Sequence, residues 1–384
     1  MIKKFFVALI LGLLMMSSQI VSAYDYDWSQ AKRIGSKVEF ASYVENGRRR
    51  GQVTFHVILA NNSILPNAWK TNVIDKNDFA NIIPCRDFDI LFAWHDVNSI
   101  RIAFKVKEYP GTRVANAYRA GNTNGLTSEE LQLYNVAIGI VNEAKKISSE
   151  VERARYIHDT ICNHVKELKG ENDRNKTAIG ALIDGYAQCQ GFTDAFYMLG
   201  TMCGFNIGKI NGKADNGPHV WNTIEFGDGK YYCVDVTWDD ASFKMNGSNS
   251  EYNNYIYFNA PQEIMQSTHT WEKAYAPTLQ QKVDGKYFYM TKEFSDTHGK
   301  YFGFHSRSAE EALNYIARRI VDEGCRLSWA MTPYSAKYAD SNFVGRRLTN
   351  EILPRYYNFY GSTRISVTRR GNYLFFTVDA TKNK

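Results

Sequence analysis

Three short stretches of this chain carry a thiol, an imidazole and a carboxylate in that order. They are Gln188-Cys189-Gln190-Gly191-Phe192, Pro218-His219-Val220-Trp221-Asn222 and Val234-Asp235-Val236-Thr237-Trp238-Asp239. A thiol becomes a strong nucleophile when a base takes its proton, and the base works best when a third group fixes its ring. Cys189, His219 and Asp235 are the candidates for those roles. Together they are the set that cysteine-dependent acyl transfer needs.

The elements around them must bring them together. Phe192, Ala195, Phe196, Leu199, Met202 and Cys203 recur at helical spacing, and Gly204 ends the run. That spacing predicts an apolar helix face, and the turn signal Asp184-Gly185 lies just upstream. Cys189 then sits at the helix N-terminus, where aligned peptide dipoles favour negative charge. Its backbone N–H is among the donors that a helix start leaves unpaired, so it can receive a developing oxyanion. Cys203 lies on the same helix, roughly 21 Å away at 1.5 Å per residue. It cannot bridge to Cys189 and reads as core.

His219 and Asp235 fall on a predicted hairpin, Val220 to Phe226 and Tyr231 to Val236, around Gly227-Asp228-Gly229. The even positions are mostly apolar: Val220, Ile224, Phe226, Tyr232, Val234, Val236 and Trp238. They are expected to face a β core. The odd, more polar positions, from His219 and Trp221 to Asp235 and Thr237, are expected to meet the helix of Cys189. His219 and Asp235 share a face only if paired residue numbers have an even sum. A two-residue turn breaks that parity, so an odd-length loop or a bulge is required. Asp235 then lies diagonal to His219 and can hold one ring nitrogen while the other faces the thiol.

Each residue alone has a plain structural role: a buried thiol, a hydrogen-bonded strand histidine, a strand-end carboxylate. In this order and on these elements they read as catalytic. His158 shares an apolar helix face with Ala154, Ile157, Ile161 and Val165, and reads as a satisfied core histidine. His158 and His164 lack a clear third ligand, the cysteines match no zinc spacing and no acidic cluster suggests calcium, so neither metal nor cofactor is expected.

The chain has 384 residues. Met1-Ile2-Lys3-Lys4, the apolar run Phe5 to Met16 and Val21-Ser22-Ala23 read as a secretory signal cut after Ala23. The apolar run is too short for a confident span, so export without a stable membrane span is expected, to a periplasmic, cell-surface or secreted location. Four blocks follow from the pattern: the signal peptide 1–23, a β-rich N-terminal domain 24–125, the catalytic domain 126–275 and a C-terminal α+β module 276–384.

In the N-terminal block Lys37 to Val44, Gln52 to Leu59, Ile90 to Trp94 and Ile100 to Val106 are strand-like, with Asn46-Gly47 as a hairpin turn. Thr127 and Ser149 begin capping boxes. The first leads into a helix with Leu131, Tyr134, Ile138 and Val141 on one face. In the last block Ser308-Ala309-Glu310-Glu311 caps a helix with Leu313, Ile316, Ala317 and Ile320 inward, before a hairpin around Arg370-Gly371-Asn372. Both flanking blocks hold strands and a helix, which leaves room for a distant duplication, although no residue-level repeat supports one. The formal net charge is +6, scattered along the chain, so nucleic acid is not an expected partner. Of the six cysteines, Cys85, Cys162, Cys189, Cys203, Cys233 and Cys325, most are expected to be buried thiols, with at most one or two bridges.

Cys189-Gln190-Gly191-Phe192 with Ala195-Phe196, then His219-Val220-Trp221-Asn222, then Val234 to Asp240 resembles the transglutaminase-like superfamily. The match is to its exported bacterial branch with papain-like architecture. Thr177-Ala178 to Gly185 fits the same pattern, as do Tyr255 to Asn259 and Thr268-His269-Thr270-Trp271. The resemblance covers residues 150 to 275. Gln188 stands where true transglutaminases have a glutamine, whereas Gln190 replaces their tryptophan. The resemblance implies an α+β fold, with the Cys-bearing helix packed on an antiparallel sheet or barrel. It implies Cys189 as nucleophile, His219 as general base and then acid, and Asp235 as the orienting carboxylate. Gln188, Trp221 and Trp238 stand beside them as oxyanion or positioning candidates. The expected activity is that of a peptidase, amidase or transglutaminase on peptide or glutamine amides of protein or cell-wall peptide. The alternative is a binding or structural module on the same fold without catalysis.

Overall fold

In the computed structural model, the segment expected as a strand from Lys37 to Val44 is helical. The structure describes residues 28–49, 52–71, 74, 75, 79, 82, 88–95, 98–168, 172–215, 217–240, 254–271, 276–291, 294–295, 301–323, 327–356 and 361–382. The expected signal peptide, Cys85 and Cys325 lie outside the described residues. The chain divides into two units after Glu108. Among the described residues no helix is long and apolar enough to cross a membrane.

The first unit runs β1 (Lys32–Ile34), α1 (Lys37–Arg49), β2 (Thr54–Leu59), α2 (Pro66–Thr71), β3 (Phe88–His95) and β4 (Ile100–Val106). Its sheet order is β1-β2-β4-β3, with β1 parallel to β2 and the other pairs antiparallel. Helix wins at α1 because Phe40, Ala41 and Val44 form one buried face, which a strand would split between two sides. Ser36 caps the start by accepting the Glu39 N–H at 3.1 Å. Gly47, expected in a turn, lies inside the helix instead. An added Cβ there would sit 2.5 Å from the Phe55 ring, so the glycine serves close packing.

The second unit opens with α3 (Pro110–Ala120), α4 (Ser128–Lys145) and α5 (Glu150–His164). It continues through β5 (Lys166–Glu167), β6 (Tyr186–Ala187), α6 (Cys189–Met202), β7 (Asn206–Ala214), β8 (Gly217–Glu225), β9 (Tyr231–Val234), α7 (Val236–Asp239), β10 (Phe258–Ala260), α8 (Gln262–Met265) and β11 (His269–Thr270). Strands β10-β9-β8-β7-β11 form an antiparallel five-stranded sheet, and α6 packs on it. The fold is α+β, as expected. Residues 110–120, expected in the N-terminal block, belong with the helix of Cys189. The Gly111 N–H donates to Asp194 Oδ2 at 2.9 Å, and only a glycine allows that approach. The capping box at Thr127 is present. The buried stripe of α4 is Leu133, Ala137, Val141 and Ala144, while Leu131 is exposed. Alanine's small size wins that face, because it lets neighbouring helices come close.

The chain ends with β12 (Phe294–Ser295), β13 (Tyr301–His305), α9 (Ala309–Glu323), β14 (Leu327–Pro333), α10 (Ser341–Arg346), β15 (Gly361–Arg370) and β16 (Tyr373–Lys382). The sheet order is β12-β13-β14-β16-β15, with β13 parallel to β14. Without β12 this is the topology of the first unit: strand, helix, parallel strand, then an antiparallel hairpin whose second strand returns to the centre. One face of this sheet (Ala330, Leu374, Phe376, Val378) packs with Leu313, Ile316 and Ala317 of α9. Trp329, Met331 and Phe375 on the other face join the core of the sheet that carries β8 and β9.

Candidate active site

Cys189 is the first residue of α6, and Gln188 is its N-cap. The Gln188 carbonyl accepts N–H bonds from Gly191 (2.8 Å) and Phe192 (3.1 Å), while its own N–H donates to the Asn175 carbonyl at 2.8 Å. Gly191 is required here: an added Cβ would lie 2.5 Å from the Asn175 oxygen. The helix is anchored by the buried Asp194 carboxylate, which accepts the N–H groups of Gly111 and Ala178 (2.9 and 3.0 Å) and the Lys209 ammonium at 3.3 Å. Every residue from Gly191 to Met202 is buried. Gln188, Cys189 and Gln190 are half-buried, so the helix meets solvent at its reactive end.

On the hairpin, Asn222 faces Val234 and Glu225 faces Tyr231, an even sum closed by an odd-length loop over 226–230. The parity requirement is met, and Asp235 lies diagonal to His219. His219 Nε2 is 2.7 Å from Asp235 Oδ2. Asp235 also caps α7, accepting the Trp238 N–H at 3.3 Å on Oδ1. The expected assignment of faces is reversed. Asn222, on the even face, donates to the Thr193 carbonyl of α6 at 3.1 Å, and Ile207, opposite Ile224, packs on Gly200 of α6. A helix buried around its whole circumference takes the apolar face of the sheet. The odd face lies under an aromatic layer, in which Trp221 meets Trp271 and His269 edge-on (centroids 5.7 and 4.9 Å).

Burial opposes the charged form of the His219 ring. The Asp235 charge and hydrogen bond, with the neighbouring Cys189 thiol, outweigh it and push its pKa up to about 10. Asp235 is also buried, yet His219 and His269 hold its carboxyl well below the usual carboxylate range. The Cys189 thiol is near enough to the His219 ring to favour its charged form. Nε2 is engaged by Asp235, so Nδ1 is the nitrogen left for the thiol.

In the sequence, His269 carries no signal beyond its place in the family resemblance. Its Nε2 lies 2.9 Å from Asp235 Oδ2, the same oxygen that His219 uses. A histidine in a two-residue edge strand offers no periodicity, so only three-dimensional pairing reveals it. By residue type, His219, Asp235 and His269 could hold a metal: their donor atoms lie within 4.8 Å of one another. The N···O separations of 2.7 and 2.9 Å are hydrogen-bond lengths. Donors around a tetrahedral zinc at about 2.1 Å stand roughly 3.4 Å apart, so the spacing fits shared protons better than an ion.

Trp238 lies over both imidazoles, with centroids 4.5 Å from His269 and 6.0 Å from His219. Trp221 is fully buried, and its indole nitrogen has no hydrogen-bond partner among the described residues. It lies nearly parallel to the His219 ring, 6.0 Å away, and is placed to position it. Gln188 remains at the half-buried rim beside the thiol. His158 is wholly buried, with Nδ1 2.9 Å from Asp159 Oδ1 and Nε2 3.3 Å from Asp239 Oδ2. Cys162, Cys189, Cys203 and Cys233 are free thiols.

No protein-family profile and no curated protein matches this chain. Among solved structures it is similar to one described as a TGase, at 15% identity and a TM-score of 0.26, covering 54% of this chain and 59% of that one. It is also similar to a candidate cysteine protease from Cytophaga hutchinsonii, at 14% identity and a TM-score of 0.26, covering 41% and 69%. A third is a candidate protease from Parabacteroides distasonis, at 10% identity and a TM-score of 0.22, covering 76% and 56%. The chain thus spans less than two thirds of the first of these, and at such scores none carries an inference about its chemistry.

Proposed function

We propose that this protein is an exported, cysteine-dependent acyl-transfer enzyme: a peptidase, amidase or transglutaminase acting on peptide or glutamine amides of protein or cell-wall peptide. The observation that supports the proposal is the His219 imidazole, hydrogen-bonded to the buried Asp235 carboxylate at 2.7 Å and raised in pKa by that carboxylate and by the neighbouring Cys189 thiol. His219 Nδ1 already carries the proton taken from the thiol, and the charged ring is stabilised by Asp235. The sulfur attacks the amide carbonyl carbon while the Cys189 N–H receives the oxyanion. The tetrahedral intermediate collapses as His219 returns its proton to the leaving ammonia or amine, and a thioester remains. Water or an acceptor amine then attacks the thioester, with His219 again taking and returning a proton.

The half-buried rim at Gln188 to Gln190 gives a substrate access to the sulfur, and the N-terminal segment supports export. The test is to profile the native protein against glutamine- and peptide-amide libraries, with Cys189→Ala as the control. Thiol-dependent turnover that vanishes in Cys189→Ala is the expected result, and turnover retained by that variant overturns the proposal.

A further inference from the structure

Asp235 Oδ2 accepts from two imidazoles, and the second opens a chain of contacts that the acyl-transfer steps do not use. His269 Nδ1 lies 2.8 Å from Thr268 Oγ1, Thr268 Oγ1 lies 3.1 Å from the Tyr257 hydroxyl, and the Tyr257 oxygen accepts the Arg370 Nε–H at 2.5 Å. Arg370 ends β15, so the chain runs from the C-terminal sheet to the carboxylate beneath His219.

The two ends fix the direction of every proton between them. A guanidinium only donates and an ionised carboxylate only accepts. The Tyr257 oxygen receives the Arg370 N–H, and Thr268 is the acceptor in the chain for its single proton. Thr268 passes its own proton to His269 Nδ1. That nitrogen is therefore bare, and the His269 proton sits on Nε2, donated to Asp235. Burial pushes the Tyr257 hydroxyl up to about 12, against Arg370 and Thr268, so it keeps the proton this direction requires. A doubly protonated His269 would donate to Thr268 and turn the Thr268 proton onto the Tyr257 oxygen, leaving the Tyr257 hydroxyl proton without an acceptor in the chain. It would also set two imidazolium rings on one buried carboxylate, with Arg370 nearby. Trp221, Trp238 and Tyr257 enclose the ring at 4.9, 4.5 and 5.3 Å, so it has no room to flip and exchange the places of its two nitrogens.

We propose that His269 is a positioning residue for this site, fixed as the neutral Nε2–H tautomer by the Thr268–Tyr257–Arg370 chain, and that it keeps Asp235 ionised and aimed at His219. This rests on the acyl-transfer reading and adds a task for the C-terminal sheet. Successive bonds pointing the same way polarise one another, so the far end contributes to the near end. The charged or titratable groups facing Asp235 and His269 are His219 from β8, Cys233 from β9, Asp239 at the end of α7, Tyr257 before β10 and Arg370 from β15.

The test uses the full chain and two readouts. Nitrogen-15 NMR of the histidine side chains at neutral pH is expected to show His269 neutral, with its proton on Nε2; an imidazolium or an Nδ1–H tautomer overturns the proposal. The second readout is the rate of Cys189 alkylation by iodoacetamide across pH. His269→Leu removes a donor to a charged group and is expected to slow alkylation about 10-fold. Asp235 then takes a proton more readily, so the acid limb of the profile moves to higher pH. His269→Gln, which returns an N–H near the same place, is expected to recover the rate to within about 3-fold. Tyr257→Phe and Arg370→Gln are expected to cost about 3-fold each and to add little in the His269→Leu background. Wild-type behaviour in His269→Leu overturns the proposal alone. An unreactive Cys189 in the wild-type protein overturns the acyl-transfer reading instead. If His269→Leu does not fold, the tautomer measured in the wild-type chain decides.

Discussion

Among the described residues, two clusters of cysteine, histidine and aspartate share one turn of helix. Asp235 caps the start of α7 and serves Cys189 and His219, while Asp239 ends that turn and serves His158 and Cys162. Cys162 Sγ lies 3.8 Å from His158 Nε2, so by composition alone the second cluster is a triad as well. Their surroundings differ. Cys162 is buried in the last turns of α5, and that burial pushes its thiol up to about 12 despite the nearby ring. Cys189 sits half-buried at the start of a helix, where unpaired N–H groups await an anion. Burial pushes Asp239 up to about 7 against the pull of His158, whereas two imidazoles hold Asp235 ionised. The second cluster is therefore a core tie: burial opposes the His158 cation, but the Asp159 and Asp239 carboxylates at its two ring nitrogens raise its pKa above the ordinary value. Of the two, the Cys189 cluster combines a helix start, an open rim and a carboxylate held in its anionic form, the setting that the proposed chemistry needs.

Swapping the thiols sharpens this contrast most. Cys189→Ala is expected to lower turnover by about 10⁴-fold or more, as for other lost nucleophiles. Cys162→Ala is expected to leave turnover within about 2-fold and to cost roughly 1 kcal/mol of stability through a small cavity. Both follow from steady-state kinetics and thermal melts on the purified variants, and equal losses at the two sites would erase the distinction.

The carboxylates come next. Asp235→Asn is expected to cut turnover by about 10³- to 10⁴-fold, because the amide favours the wrong imidazole tautomer. Asp239→Asn is expected to act on stability instead, by about 2–3 kcal/mol, since it leaves the buried His158 charge with less compensation. Denaturant unfolding beside kinetics separates the two, and a large kinetic loss in Asp239→Asn with normal stability would contradict the assignment.

The smallest effect is on stability against pH. His219 is held up to about 10 in the fold, against a value of 6.5 when unperturbed. A raised value means that the stabilisation is complete below about pH 6.5 and is lost as pH rises through about 10. Melting temperature is expected to fall by on the order of 5 °C between pH 7 and 10.5, and the fall is expected to flatten in His219→Gln. An unchanged slope in that variant would remove His219 as the source.

Much of the site could be read before any fold was known. A buried helix with the cysteine first, and a hairpin whose parity must bring His219 and Asp235 together, follow from periodicity. The faces of that hairpin were harder. Alternation shows which side chains share a face, but not which face a fully apolar helix will choose. Residues 37–44 misled because Phe40, Ala41 and Val44 suit a strand locally, and the helix is decided by the Ser36 cap and by Gly47 yielding to Phe55. His269, Tyr257 and Arg370 are far apart in sequence, and only the folded chain joins them. The flanking modules share a topology without sharing residues, as expected when strand order is set by packing and chain connection rather than by individual side chains.

The account is tested most directly by the rate at which each thiol of the native protein reacts with iodoacetamide between pH 5 and 9, resolved by peptide mass spectrometry. Cys189 is expected to react at least about 100-fold faster than Cys162 across that range, because only it is accessible and paired with a base. In His219→Gln it is expected to lose its reactivity at the acid end. Cys189 reacting no faster than Cys162, or unchanged without His219, would contradict the claim that these residues form one catalytic unit.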